Sequence, residues 1–131
     1  MDMDPRFHAA QAALAAGDVA RLAAILAEEP GLAKSRSTRS HPTLLQCLVL
    51  AMPPVDGMEG LVGLLAQHGA ELTGPLVAAA GSNNVRAINQ LLDLGAEIDG
   101  ADEWSPLEEA LYWGHETAVS LLLERAVSYT I

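Results

Sequence analysis

Four stretches of the chain share one arrangement of apolar side chains. Each stretch follows a residue suited to a turn, and apolar residues stand four, five, eight and nine positions later, with Arg21 as the exception. We call these turn residues, which are Gly17, Gly57, Asn83 and Gly114. Offsets of this kind place all four side chains on one face of an α-helix. The pattern therefore predicts four amphipathic helices, each beginning just after its turn residue.

A second helix is predicted before each of the last two turn residues. Pro75 and Pro106 each precede a run suited to a helix, and Pro is favoured at the first helical position. Ser105 stands where an N-cap belongs, since its hydroxyl can accept a hydrogen bond from the first helical turn. The repeating unit is thus predicted to be helix, tight turn, helix. In the same way, Pro5 can start a first helix, so that residues 5–30 form an N-terminal cap.

The ends of the amphipathic helices follow from residues that interrupt a helix. Gly69 and Gly95 each stand twelve positions after a turn residue, and Gly adopts the left-handed C-cap conformation at little cost. Pro30 cannot continue a helix and ends the first copy. Ala126 occupies this place in the last copy, and the alternating apolar and polar residues 127–131 predict an extended segment after it.

Charge and cysteine content narrow the class of function. The formal net charge of the 131 residues is -10, which disfavours nucleic acid and anionic membrane surfaces as partners. Residues 93–131 hold nine Asp or Glu and only one Lys or Arg, Arg125, so a partner at this end is predicted to be basic. The lone Cys47, an acidic N-terminus and the lack of a long apolar run predict a cytoplasmic protein without a membrane span.

The sequence motifs around the last two turn residues resemble the ankyrin repeat. The segment Ser105-Pro106-Leu107-Glu108-Glu109-Ala110, followed by Gly114-His115, is similar to the family signature T-P-L-H-x-A and the turn after it. The resemblance implies an all-α, ankyrin-type α-solenoid of helix-turn-helix repeats with short or missing β-hairpin fingers. It implies a single domain over residues 1–131, with repeats at approximately 5–34, 41–71, 74–99 and 104–131.

The resemblance also implies a non-enzymatic protein-protein interaction module of the adaptor or inhibitor type. It places Tyr112 and Trp113 at variable positions of the concave face, where partners of ankyrin proteins bind. Tyr and Trp are enriched at binding hot spots, and nearby carboxylates would form an acidic rim. The predicted partner-binding residues are Asp102, Glu103, Trp104, Glu108, Glu109, Tyr112 and Trp113. The alternative is that one or both Trp side chains cover the core of the last repeat.

No catalytic, metal or cofactor site is predicted. The four histidines lie far apart, and His115 is assigned to stabilising the turn at Gly114. Cys47 with His41 could form a nucleophile and base, but a small core thiol is the favoured interpretation. The adjacent carboxylates of Glu108 and Glu109 point about 100° apart on a helix, which favours a solvated or partner-binding face over acid-base chemistry.

The C-terminal end supports an alternative function. A solenoid needs a polar outer face on its last repeat, and no capping helix follows Arg125. The chain is therefore expected either to be a fragment of a larger ankyrin protein or to have this end covered by another subunit or a partner. In that case it would be a structural or oligomerisation piece that assembles through its uncapped end.

Overall fold

Within residues 5–34, 43–50, 57–100 and 105–130, which the structure describes, a computed structural model contains eight α-helices and no strand. A 3-10 helix, Pro30–Lys34, follows the second of them. The bounds of the helices are α1 Pro5–Ala16, α2 Val19–Glu28, α3 Leu44–Leu50, α4 Met58–Gln67, α5 Thr73–Gly81, α6 Val85–Asp93, α7 Pro106–Trp113 and α8 Glu116–Thr130. The predicted all-α class is confirmed.

The chain divides into two compact units, residues 1–71 and residues 72–131. In the N-terminal unit, α1 packs against α2 and α3, and α2 packs against α4. In the C-terminal unit, α5 packs against α6 and α7, and α8 packs against α6 and α7. Each unit therefore consists of two helix pairs, with first helix on first helix and second on second. The assignment of residues 1–131 to one domain with the four repeat ranges above stays a prediction.

Side chains cap the N-termini of three helices, α2, α6 and α7. Ser105 accepts a hydrogen bond from the Glu108 backbone N–H at 3.1 Å, and the Glu108 carboxylate accepts one from the Ser105 N–H at 2.9 Å. This reciprocal pair is a capping box, so the predicted N-cap is confirmed. Asp18 and Asn84 cap α2 and α6 by accepting hydrogen bonds from N–H groups three residues on. Both directly follow a turn residue, which explains why the second helix of these pairs begins where it does.

The helix ends agree with prediction in three copies and differ in the fourth. Gly69 and Gly95 follow α4 and α6 with φ of 86° and 109°, the left-handed region that glycine adopts most easily. Pro30 follows α2 after one residue. The prediction of an extended segment after Ala126 was wrong, because α8 continues to Thr130. Residues 115–130 contain no Gly or Pro, so nothing in the sequence interrupts the helix, and alternation over five residues is too short to oppose it.

The loops between pairs are short where the structure describes them. Only residues 70–72 separate Gly69 from the start of α5, so no β-hairpin finger fits there, in line with the short or missing fingers expected above. Between α6 and α7, the Gly100 N–H donates to the Glu97 carbonyl at 3.0 Å, which forms a turn. Residues 101–104, which complete the connection to Ser105, lie outside the described residues.

The predicted apolar stripes form the core of each unit. Eleven of the sixteen stripe positions are buried: Leu22, Leu26, Leu61, Val62, Leu65, Ala87, Ile88, Leu91, Leu92, Ala118 and Leu122. The more exposed positions fall mainly in the first and last pairs. Arg21 is exposed and Ile25 partly exposed in the first pair, and Leu123 is exposed and Val119 partly exposed in the last pair. The stripe is more completely buried in α3–α4 and α5–α6 than in α1–α2 and α7–α8.

Candidate functional site

Four of the seven predicted partner-binding residues lie within the described residues, and all four are on α7. These are Glu108, Glu109, Tyr112 and Trp113. The other three, Asp102, Glu103 and Trp104, precede Ser105 and lie outside the described residues. We use the name acidic-aromatic face for the set of seven. Its four described residues lie on a single short helix, α7, and the capping box stabilises the start of that helix.

Glu108 has a structural task at the start of α7. Its carboxylate accepts the Ser105 N–H as part of the capping box, and the residue is exposed to solvent. A carboxylate in the first turn also interacts favourably with the partial positive charge of the helix N-terminus. Glu108 therefore fixes the helix that carries the aromatic pair while it adds negative charge to the face.

Glu109 holds the indole of Trp113. The Trp113 Nε1–H donates to Oε2 of Glu109 at 3.0 Å across one helical turn. The same carboxylate lies over Gly81, the last residue of α5, where an added Cβ would come within 2.6 Å of Oε2. Because Gly81 has no side chain, the Glu109 carboxylate can occupy the space beside it. Residues of α5 and α7 together therefore set the position of the indole.

Tyr112 and Trp113 form an exposed aromatic pair at the end of α7. Their ring centroids are 5.1 Å apart and the rings are nearly perpendicular, at 87°. This is the edge-to-face geometry that aromatic quadrupoles favour. Tyr112 is 69% exposed and Trp113 is 58% exposed. More than half of the surface of each aromatic residue is thus accessible to solvent.

A model of the ankyrin repeats, in three copies, matches residues 41–131, which is more than half of the chain. The chain belongs to the ankyrin repeat family. The ankyrin-type fold class is thereby confirmed, and the repeats mark the chain as a protein-protein interaction module of a typically non-enzymatic family. The comparison with curated proteins yields no significant match. The pair α1 and α2 precedes the matched residues and continues the same helix-turn-helix pattern.

The ankyrin turns in the C-terminal unit are tied together by His115 and Asn83. His115 Nε2 lies 2.9 Å from the Gly81 carbonyl oxygen, which supports the turn-stabilising role assigned to it. The Asn83 side chain accepts the Ala118 N–H at 3.2 Å and so links the turn of one repeat to the second helix of the next. Sequence reasoning treated Asn83 only as a turn residue. The signal available was that Asn stands there where the other three copies have Gly.

The alternative chemistry weighed for this ankyrin chain receives no geometric support among the described residues. Cys47 is partly buried, and its Sγ accepts a hydrogen bond from Gln11 Nε2 at 3.8 Å. His41, its suggested base, lies outside the described residues. In the described ranges, no three His, Cys, Asp or Glu side chains converge as metal ligands would. No helix in those ranges combines the length and apolar character needed to span a bilayer.

Proposed function

We propose that this ankyrin repeat protein is a non-enzymatic, cytoplasmic adaptor or inhibitor, without a cofactor, that binds a basic partner protein through its acidic-aromatic face. The observation that carries the proposal is the exposed, edge-to-face pair of Tyr112 and Trp113. In ankyrin proteins these positions belong to the concave face on which partners bind. The two aromatic side chains are the apolar anchor, and the carboxylates around them are the rim.

The fixed position of Trp113 favours its use as an anchor. The only polar atom of its side chain, Nε1, already donates to Glu109, so burial of the ring against a partner leaves no unsatisfied indole N–H. The bond to Glu109 and the contact with Tyr112 restrict the rotamers of the indole before a partner arrives. Less conformational entropy is then lost on binding, which is the advantage of a preorganised surface.

The surrounding charge defines the chemistry of the partner. The only Lys or Arg in residues 93–131 is Arg125, and its guanidinium is bonded to Asp93 at 2.8 Å. The face therefore presents negative charge around an apolar centre. Basic side chains on the partner would be attracted to the rim and would set the association rate and its dependence on salt.

The test compares wild type with Trp113→Ala as immobilised bait for a library of small folded domains. Domains retained by wild type and lost with Trp113→Ala are expected to be basic, and their binding is expected to weaken steeply between low and physiological salt. For a purified domain of this set, Trp113→Ala should cost about 2 kcal/mol of binding free energy, or about 30-fold in Kd, because it removes a central anchor.

Leu94→Ala is the matched control, since Leu94 is another exposed apolar side chain and lies at the end of α6, outside the face. It should leave binding of the same domain unchanged. Equal affinity of wild type and Trp113→Ala, with both variants folded by circular dichroism, would remove Trp113 from the binding site. Binding that does not respond to salt would show that the acidic rim does not contribute to it.

A further inference from the structure

Three positions that are buried in the α5–α6 pair are exposed or partly exposed in the α7–α8 pair. They lie three residues before the turn residue and five and nine residues after it. In α5–α6 they are Ala80, Ile88 and Leu92, all buried. In α7–α8 they are Leu111, Val119 and Leu123. Leu111 is 58% exposed and Leu123 is 50% exposed, so the last pair presents apolar side chains where the pair before it has a neighbour.

The helix pair that packs on α5–α6 within the C-terminal unit is the next one, α7–α8. α7 packs on α5 and α8 packs on α6, and Ala118, four residues after the turn residue Gly114, meets the turn residue Asn83. Position four of one pair thus docks beside the turn residue of the pair before it. Positions five and nine of the earlier pair lie on the face that receives it, since they are buried there and exposed in the last pair.

The same place on the last pair is a shallow groove. Its lining residues are Leu111, Gly114, Glu116, Val119 and Ser120. Gly114 is the counterpart of Asn83, so the groove lies where position four of a following pair would dock. Glu116 is exposed at its edge and gives it a negative charge. We call this the tail groove.

The first helix pair presents the complementary face. Its position four is Arg21, which is exposed, whereas the same position in the last pair is the buried Ala118. Ile25, at position eight, is partly exposed, whereas Leu22 and Leu26, at positions five and nine, are fully buried. The first pair therefore exposes the side with which a pair docks on its predecessor.

A groove lies on that side of the first pair. Its lining residues are Ala9, Arg21, Ala24, Ile25 and Glu28. It is mostly apolar, and we call it the head groove. The head groove is lined by one positive side chain, that of Arg21, and one negative side chain, that of Glu28. Its charge complementarity with the tail groove therefore depends on a contact between Arg21 and Glu116.

We infer that the chain self-associates head to tail, with the head groove of one copy docked on the tail groove of a second copy and Arg21 beside Glu116 of that copy. The contact reuses the repeat-to-repeat interface seen between α5–α6 and α7–α8. Charge favours it over a symmetric tail-to-tail contact. Residues 72–131 hold nine Asp or Glu and two Lys or Arg, and residues 1–71 hold eight and five, so two tails would repel each other more strongly than a head and a tail.

The experiment measures the mass of the full chain by sedimentation and light scattering up to about 1 mM, where a weak contact of this kind is populated. The wild-type mass is expected to rise with concentration above the 13.7 kDa of one copy. A head variant, Arg21→Glu, and a tail variant, Leu111→Ser with Leu123→Ser, should each stay monomeric, because each lacks one of the two faces. Mixed together, they should form a one-to-one dimer, since each supplies the face that the other lacks.

A charge exchange within one chain sharpens the assignment. Arg21→Glu should weaken self-association by about ten-fold or more, and the addition of Glu116→Arg to the same chain should restore it, because the pair is again complementary. Leu94→Ser is the control for loss of an exposed apolar side chain elsewhere, and Trp113→Ala should leave self-association unchanged. This inference therefore stands or falls independently of the acidic-aromatic face.

Three results would overturn the inference. The first is a wild-type chain that remains at the mass of one copy over the whole concentration range. The second is an oligomer that survives Arg21→Glu and is lost in the tail variant, which would indicate a tail-to-tail contact. The third is a mixture of folded head and tail variants that stays monomeric while wild type associates.

Discussion

The two helix pairs of the C-terminal unit follow the same sequence pattern, but their matched apolar positions differ in exposure. Leu92 is 3% exposed in α5–α6, and its counterpart Leu123 is half exposed in α7–α8. The side chains are identical and lie at the same offset from a turn residue. We attribute the difference to the helix pair α7–α8, which packs on α5–α6 and itself has no following pair in this chain. An apolar stripe therefore identifies a face that can be buried, and the neighbour determines whether it is.

The largest expected effect separates these two leucines. Leu92→Ala should lower the free energy of unfolding by about 2–4 kcal/mol, because it removes a buried side chain and leaves a cavity. Leu123→Ala should cost less than about 1 kcal/mol, since its side chain is already half hydrated. Urea unfolding of both variants, made in the Arg21→Glu background to keep the chain monomeric, measures the difference. Equal losses would show that Leu123 is covered within the monomer.

An intermediate effect separates the turn residues Asn83 and Gly114. Both have positive φ, 57° and 72°, but only the Asn83 side chain bonds a following pair, through the Ala118 N–H. Asn83→Gly keeps the backbone conformation accessible and removes the hydrogen bond, so it should cost about 1 kcal/mol of unfolding free energy. Asn83→Ala should cost more, by about 1 kcal/mol, because alanine disfavours positive φ.

Gly114→Asn is the matched change in the last pair. Among the described residues, no atom beyond its chain neighbours lies within 4 Å of an added Cβ there, and Asn tolerates positive φ better than most residues. The unfolding free energy should therefore stay within about 0.5 kcal/mol of wild type. A cost as large as that of Asn83→Gly would mean that the two turns differ in backbone strain and not in their neighbours.

The smallest expected effect concerns the polar link between α8 and α6. Arg125 donates to Asp93 at 2.8 Å and to Asn89 at 3.2 Å, but the Asp93 side chain is 67% exposed. Asp93→Asn removes the negative charge and leaves the hydrogen bond from Arg125 to Asn89 in place. It should therefore lower the free energy of unfolding by about 0.5 kcal/mol or less, and this loss should shrink in salt. Thermal unfolding at low and high salt measures it. A cost above about 2 kcal/mol, unaffected by salt, would indicate a buried ion pair instead.

Much of the fold was predictable because its signals are local. Apolar offsets predicted the second helix of every pair, Ser105 predicted the start of α7, and Gly69 and Gly95 predicted the ends of α4 and α6. These signals depend on helix periodicity, capping and the φ values open to glycine, all of which act within a few residues. The segment after Ala126 was misassigned because alternation over five residues was weighed above the absence of any residue that interrupts a helix.

The candidate site was predictable in residue type and not in contacts. Tyr112 and Trp113 were selected from the sequence because aromatic side chains stood at variable positions near carboxylates. The bond of Trp113 to Glu109 joins residues one turn apart and was within reach of sequence reasoning. Two other contacts could not be predicted from the sequence: the position of the Glu109 carboxylate over Gly81 and the hydrogen bond from the Ala118 N–H to Asn83. Each joins residues that lie far apart in the sequence.

The sequence by itself determined the repeat family, the order of the helices, the side chains on each helical face and the excess of carboxylates in the last third. These properties depend on short-range periodicity and on composition. The tertiary structure alone decided that Leu92 is buried and Leu123 is not, and that Arg21 is exposed where Ala118 is enclosed. Burial is the removal of surface from water by atoms of another segment, so it depends on which helix pair lies alongside.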